Sequence, residues 1–132
     1  LSSAVRIKRN VSHNTKLKLL RNIDVMVIPR YKTSTTNLVI PIKLLESLAA
    51  AKPILISRSR ITETSFQDGK EILSFEAGNS QDLAEKIWML YTSPQLRMTL
   101  SLNSSRIAKN YDWAIIAAKW REALYQVSLV KH

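Results

Sequence analysis

The sequence predicts an α/β fold: a parallel sheet with helices on both faces, followed by a group of C-terminal helices. Three observations predict it. Val25-Met26-Val27-Ile28 and Ile54-Leu55-Ile56 are apolar without alternation, as parallel strands covered on both faces must be. Segments with helical spacing precede both runs, and Pro29, Pro41, Pro53 and Pro94 punctuate the boundaries. From Ser80 onward apolar positions recur at helical intervals with no further strand signal.

Taken in order, Val5 to Lys8 predicts a short extended segment because Val5 and Ile7 favour strand geometry. Ser12 is the predicted N-cap of a helix from about Asn14 to Asn22. Leu17 and Leu20 would share its inner face, with Lys16, Lys18 and Arg21 outside. Val25 to Ile28 is the first buried strand, stopped by Pro29. Arg30 to Asn37, rich in Thr and Ser, reads as a polar loop.

Pro41 suits the first turn of a helix, where a missing N–H costs nothing, and that helix runs to about Ala51. Pro53 leads into Ile54-Leu55-Ile56. Ser57 to Gln67 reads as irregular, and Asp68-Gly69 marks a turn before a strand at Ile72 to Phe75. Three helices complete the chain. Ser80 is the candidate N-cap of the first, which carries Leu83, Ile87, Leu90 and Tyr91 with Trp88 beside them. Pro94 opens the second, with Leu96, Leu100 and Ile107, and Asp112 caps the third. Trp113, Ile116, Ala117, Trp120, Leu124 and Val127 form one stripe on that last helix, expected to be packing surface.

A chain of 132 residues, 45% apolar, suffices for a core in one domain over 1–132 and not for two. With no cysteine, disulfides and thiolate metal sites are excluded, and a reducing, cytoplasmic setting is expected. The first residue is Leu1 and not Met, which reads as a fragment, a processed product or a trimmed form, and no signal-peptide pattern opens it. No apolar run approaches the roughly 20 residues that span a bilayer.

The net charge of +10 is concentrated at the start: eight Lys or Arg against Asp24 alone up to Lys32. Such a segment suits anionic headgroups at a membrane periphery, an acidic partner, or a solvated face. It lacks the aromatic-plus-basic pattern that stacks bases, so a nucleic-acid partner is not expected. His13 and His132 are isolated, so no metal site is expected, and no Ser or Thr has a local base that would make it a nucleophile.

In parallel sheets ligands bind beyond the carboxyl ends of the strands. The candidate here is the loop after Ile28 with the start of the Pro41 helix, where free amides and the helix dipole favour an anion. Pro41 donates nothing, so Leu38, Val39, Ile40, Ile42 and Lys43 are the expected amides. Glu46 is the sole carboxylate of that helix. It can accept from a vicinal diol such as a ribose, or it can pair on the surface with Lys43.

From Ile23 to Ser57 the string IDVMVIPRYKTSTTNLVIPIKLLESLAAAKPILIS resembles the glycosyltransferase group 1 family, whose members use nucleotide sugars with retention of configuration. The likeness extends back through VSHNTKLKLLRNIDV and forward through Asp68-Gly69-Lys70, the Leu83 helix, Pro94-Gln95-Leu96 and Tyr111-Asp112-Trp113. It implies a Rossmann-like, incomplete C-terminal half of a GT-B fold, with the acceptor domain absent.

The resemblance places Glu46 as the second glutamate of the family's Glu–seven residues–Glu motif, the one that holds the ribose. The first glutamate falls at Leu38; members with the variant echoed by Pro41-Ile42-Lys43-Leu44-Leu45-Glu46 often lack it. Asn37, Leu38 and Val39 would then line the sugar and diphosphate through their main chain, with Lys43 beside them. Family glycines are replaced by Ala51, by Arg60-Ile61 and by Ile72. Arg58 and Arg60 would meet phosphate or lie on the surface.

The implied function is a donor-binding piece of a transferase acting on a glycan or lipid-linked acceptor, with weak nucleotide affinity and no turnover alone. No cofactor beyond the nucleotide-sugar substrate and no catalytic residue of its own is implied. The alternative is a non-catalytic module of the same fold that binds a protein or a polyanion.

Overall fold

A computed structural model describes residues 4–129. Its centre is a three-stranded parallel sheet in the order β1-β2-β3: β1 is Met26–Ile28, β2 is Ile54–Ser57 and β3 is Leu73–Phe75. Val27 lies opposite Leu55, and Ile56 opposite Ser74. The described residues form seven α-helices: α1 His13–Asn22, α2 Ser34–Leu38, α3 Ile42–Ala49, α4 Arg60–Ser65, α5 Ser80–Thr92, α6 Pro94–Ala108 and α7 Trp113–Leu129.

Alternate strand residues point to opposite faces, and this division builds two cores. Ile54 and Ile56 face Leu44 and Leu48 of α3, together with Ile28, Phe66 and Ile72. Leu55, Leu73 and Phe75 face Leu90 of α5 and Leu100 of α6. The sheet is therefore covered on both sides, as its apolar runs require.

Local chemistry explains the boundaries. The Ser12 hydroxyl accepts from Thr15 N and starts α1. Pro94 occupies the first turn of α6, whose N-cap Ser93 accepts from Leu96 N. Asp112 accepts from Ala114 N at the start of α7. At the end of α3, Ala51 N donates to Leu48 O and Lys52 N to Ser47 O, each at 3.0 Å, the paired bonds of a Schellman ending.

Several expectations are corrected. Val5 to Lys8 forms no strand; it has no neighbouring strand to pair with, and its Val5 and Ile7 are exposed. The Thr/Ser stretch is not all loop, because Thr33 and Thr36 form a capping box that starts α2. Ser59 and Thr62 do the same for α4 inside the stretch read as irregular. Helix α3 stops at Ala49 and not Ala51. Asn79, not Ser80, caps α5, accepting from Gln81 N and Asp82 N.

Leu20 is buried as expected on α1, whereas Leu17 is exposed. Strand β1 is an edge strand among the described residues, and its Val27 is 36% exposed. The α7 stripe also faces outward: Trp113 is 83% and Trp120 65% exposed. Of that stripe Ile116 alone is half-buried; the rest of the packing it was expected to make is not made within the described residues.

Candidate functional site

The carboxyl ends of β1 and β2 are tied together where the first ends at Pro29: Arg30 N donates to the Ser57 hydroxyl at 2.8 Å. The Arg30 guanidinium then reaches across the loop and donates to Val39 O at 3.0 Å. On the far side, Arg60 N donates to the Asn37 side-chain oxygen at 3.3 Å, joining α2 to the start of α4. Three contacts thus hold the segment from Pro29 to Pro41 over the strand ends.

This arrangement redistributes the expected amides. Asn37 N and Val39 N already donate, each at 3.1 Å, to the carbonyls of Thr33 and Thr35, and Leu38 lies in the same short helix. Those amides are therefore not open to a ligand as the loop reading required. The amides of Ile40, Ile42 and Lys43 have no hydrogen-bond partner among the described residues. Pro41 offers no side-chain cap to α3, so the helix begins with its first two donors unsatisfied, whereas Leu44 N donates to Pro41 O at 3.0 Å. An acceptor placed there would meet both free N–H groups and the positive end of the helix dipole.

Of the predicted site residues, Leu38 is 69% exposed with its side chain outward, and Lys43 is exposed on the first turn of α3. Asn37 is half-buried and committed through its side chain to Arg60 N. The Glu46 side chain, 28% exposed, does not pair with Lys43. Its Oε1 accepts from Lys16 Nζ of α1 at 2.6 Å, whereas Oε2 makes no hydrogen bond among the described residues. The structure thus ties Val39 to Arg30 and Asn37 to Arg60, and couples Glu46 to α1 instead.

Arg58 is occupied: it lies 3.9 Å from Glu63 and 3.8 Å from Glu76, with its Nε 3.4 Å from the Ser74 hydroxyl. That favours its surface reading over a phosphate contact. Sequence reasoning missed Lys16, 30 residues from its partner, and Arg30, whose loop offers no spacing rule. A cavity of about 310 Å³ lies between the ends of β1 and β3 on the α5 side, lined by Arg30, Tyr31, Phe75, Asn79 and Leu83. None of the predicted site residues lines it. No group of three His, Cys, Asp or Glu able to hold a metal occurs among the described residues.

Residues 1–107 match the profile of the family described as glycosyl transferases group 1. The chain belongs to that family.

Its relatives show how much of such a protein is present. Over 104 residues it is 32% identical to a Campylobacter jejuni enzyme, N,N'-diacetylbacillosaminyl-diphospho-undecaprenol alpha-1,3-N-acetylgalactosaminyltransferase, covering 79% of this chain and 26% of that one. Over 114 residues it is 28% identical to an uncharacterised glycosyltransferase of Methanocaldococcus jannaschii, covering 81% of this chain and 32% of that one. The chain therefore spans about a quarter to a third of these relatives.

Among solved structures, Anabaena HepE in complex with UDP-glucose superimposes with a TM-score of 0.70 at 22% identity, covering 83% of this chain and 29% of that one. The C-terminal domain of LpcC, a group 1 family protein from Francisella tularensis, gives 0.67 at 20% identity, covering 81% of this chain and 53% of that one. Identities this low show the fold alone, which is that of part of the C-terminal domain of a GT-B glycosyltransferase.

The resemblance placed family glycines at Ala51, Arg60-Ile61 and Ile72, and the backbone there can be compared. Ala51 has φ +52, the left-handed conformation for which glycine is the usual residue. Arg60 and Ile61 form the first turn of α4 and Ile72 is buried in the core; none of the three has a positive φ. Only at Ala51 does the backbone still adopt a glycine-like shape.

Proposed function

We propose that this chain, residues 1–132, is the latter part of the donor-binding domain of a retaining GT-B glycosyltransferase. It supplies one wall of the cleft that holds a nucleotide sugar. One observation carries the reading: the uncapped start of α3 presents the free amides of Ile42 and Lys43, and the carboxylate of Glu46 stands one turn further along the same helix. A diphosphate complements the amides and dipole, and a ribose diol complements the carboxylate. Val39 and Leu38 would flank the sugar, and Lys43 adds positive charge for the phosphates.

The related structures support the ligand class, since HepE is found in complex with UDP and with UDP-glucose. The Campylobacter relative acts on a diphospho-undecaprenol-linked sugar, which supports a glycan or lipid-linked acceptor for the protein to which this chain belongs. Such an acceptor suits a cytoplasmic protein held at the membrane periphery, where the basic segment up to Lys32 meets anionic headgroups. No described helix is long and apolar enough to cross the bilayer.

Transfer needs groups on both sides of a cleft, positioned to stabilise the departing diphosphate. This chain carries one side, so it binds nucleotide weakly and does not turn over unaided. Titration calorimetry with UDP, GDP and ADP tests the reading. We expect millimolar-range binding of one of them and a loss of about tenfold in Glu46→Gln, the scale of one hydrogen bond to a charged group. Binding indifferent to Glu46→Gln would remove the ribose role. No binding of any of the three would return the chain to the alternative, a non-catalytic module for a protein or polyanion.

A further inference from the structure

The family resemblance gives Lys16 no role, yet it makes the shortest ion pair among the described residues, 2.6 Å to Glu46 Oε1. Its position is determined by the start of α1. The Ser12 hydroxyl meets the Thr15 hydroxyl at 3.0 Å and accepts from Thr15 N at 3.3 Å, and Lys16 N donates to Ser12 O at 2.9 Å. The side chain then crosses from α1 to α3. Lys43, three residues before Glu46 and able to reach it along one helix face, does not take that place.

We infer that Lys16 is a positioning residue for the Glu46 carboxylate, an inference that rests on the ribose role proposed above. Two consequences follow from the geometry. A carboxylate engaged through Oε1 alone keeps Oε2 as an acceptor while losing its freedom to rotate, so a diol meets a pre-set oxygen and less entropy is lost on binding. The ammonium also offsets part of the negative charge of Glu46 near the start of α3, but between partly exposed groups this effect is the smaller one, under about twofold, and is the same for any nucleoside diphosphate. The pair is partly exposed, with the two side chains 43% and 28% accessible, so its own contribution to folding is small.

The test compares a nucleoside diphosphate with its 2′,3′-dideoxy counterpart, using whichever of UDP, GDP and ADP binds the chain. The dideoxy ligand keeps the phosphates and base and lacks the hydroxyls that Glu46 accepts from. In Lys16→Gln we expect the ribose nucleotide to weaken about fivefold and the dideoxy nucleotide by less than about twofold, the scale of one charge-assisted contact. Lys16→Arg restores most of the discrimination, and thermal melts of all variants stay near that of the parent.

Equal weakening of both ligands overturns the inference in favour of a plain charge effect on the diphosphate. Unchanged affinity for the ribose nucleotide overturns it as well, and tighter binding in Lys16→Gln would instead make Lys16 a lock on the site. If the parent chain binds a nucleotide but does not distinguish it from the dideoxy form, the ribose reading of Glu46 fails first and takes this inference with it. If no nucleotide binds, both readings fall together.

Discussion

Ser101 of α6 donates its hydroxyl proton to Ala51 O at 2.6 Å, bracing the residue that ends the Glu46 helix in a left-handed conformation. The contact joins positions 50 residues apart. It holds the turn that carries the chain from α3 into β2. A Cβ at φ +52 is strained, and the Schellman bonds to Leu48 and Ser47 keep the backbone there despite it.

Ala51→Gly should therefore stabilise the protein. Relief of the left-handed penalty, partly offset by the greater freedom of glycine in the unfolded chain, gives about 0.5–1 kcal/mol. Urea denaturation should show the midpoint moving upward with unchanged slope. A fall in stability would mean that this turn is not strained.

Asp68 closes the outer edge of β3. Its Oδ1 accepts from Ser74 N at 2.7 Å and its Oδ2 from the Ser74 hydroxyl at 2.8 Å, at a position where Ser74 is buried. Asp68→Ala leaves both donors without a partner and should cost about 2 kcal/mol in the same assay. A change below about 0.5 kcal/mol would show that water replaces the carboxylate freely.

Leu48 and Trp120 make a contrasting pair. Leu48 is fully buried between α3 and the sheet, so Leu48→Ala should cost about 2–5 kcal/mol. Trp120 is mostly exposed, so Trp120→Ala in this chain should stay within about 0.5 kcal/mol, despite the larger side chain. A large loss at Trp120 would mean that α7 folds back onto the domain in solution.

Tyr111 gives a pH signature. Burial raises its pKa above the usual 10.0, with the negative charge of Glu71 adding to the effect, and its ring stacks on Phe66 at 6.2 Å. The folded state therefore keeps the proton after the unfolded chain has lost it. That contribution to stability is complete below about pH 10 and is lost as pH rises from there through the folded value. Comparing alkaline denaturation of the parent and Tyr111→Phe isolates it: the parent should lose more stability than the variant across that window. Parallel curves would show that the phenol titrates alike in both states.

The sequence by itself determined the sheet and most of the helices, because those depend on short-range chemistry. Continuous apolar runs set β1 and β2, Ser12 and Asp112 start α1 and α7, and Pro94 opens α6 directly after its cap. Glu46 stands out as the sole carboxylate in its helix. The two capping boxes at Thr33 and Ser59 were legible in principle, but five- and six-residue helices carry too little apolar periodicity to stand out from loops.

Tertiary structure alone decided which partners these residues meet. Lys16 reaches Glu46 across 30 residues, Arg60 N finds Asn37 across 23, and Ser101 finds Ala51 across 50. No pattern in the sequence encodes such distances, because they depend on how α1, α4 and α6 pack around the sheet. Exposure is likewise a property of the assembled layers: the α7 stripe has the spacing of a buried face, and only packing reveals that, Ile116 aside, nothing in residues 4–129 covers it. Periodicity reports which side of a helix is apolar, whereas burial requires a second surface, and that surface is specified elsewhere in the chain or beyond it.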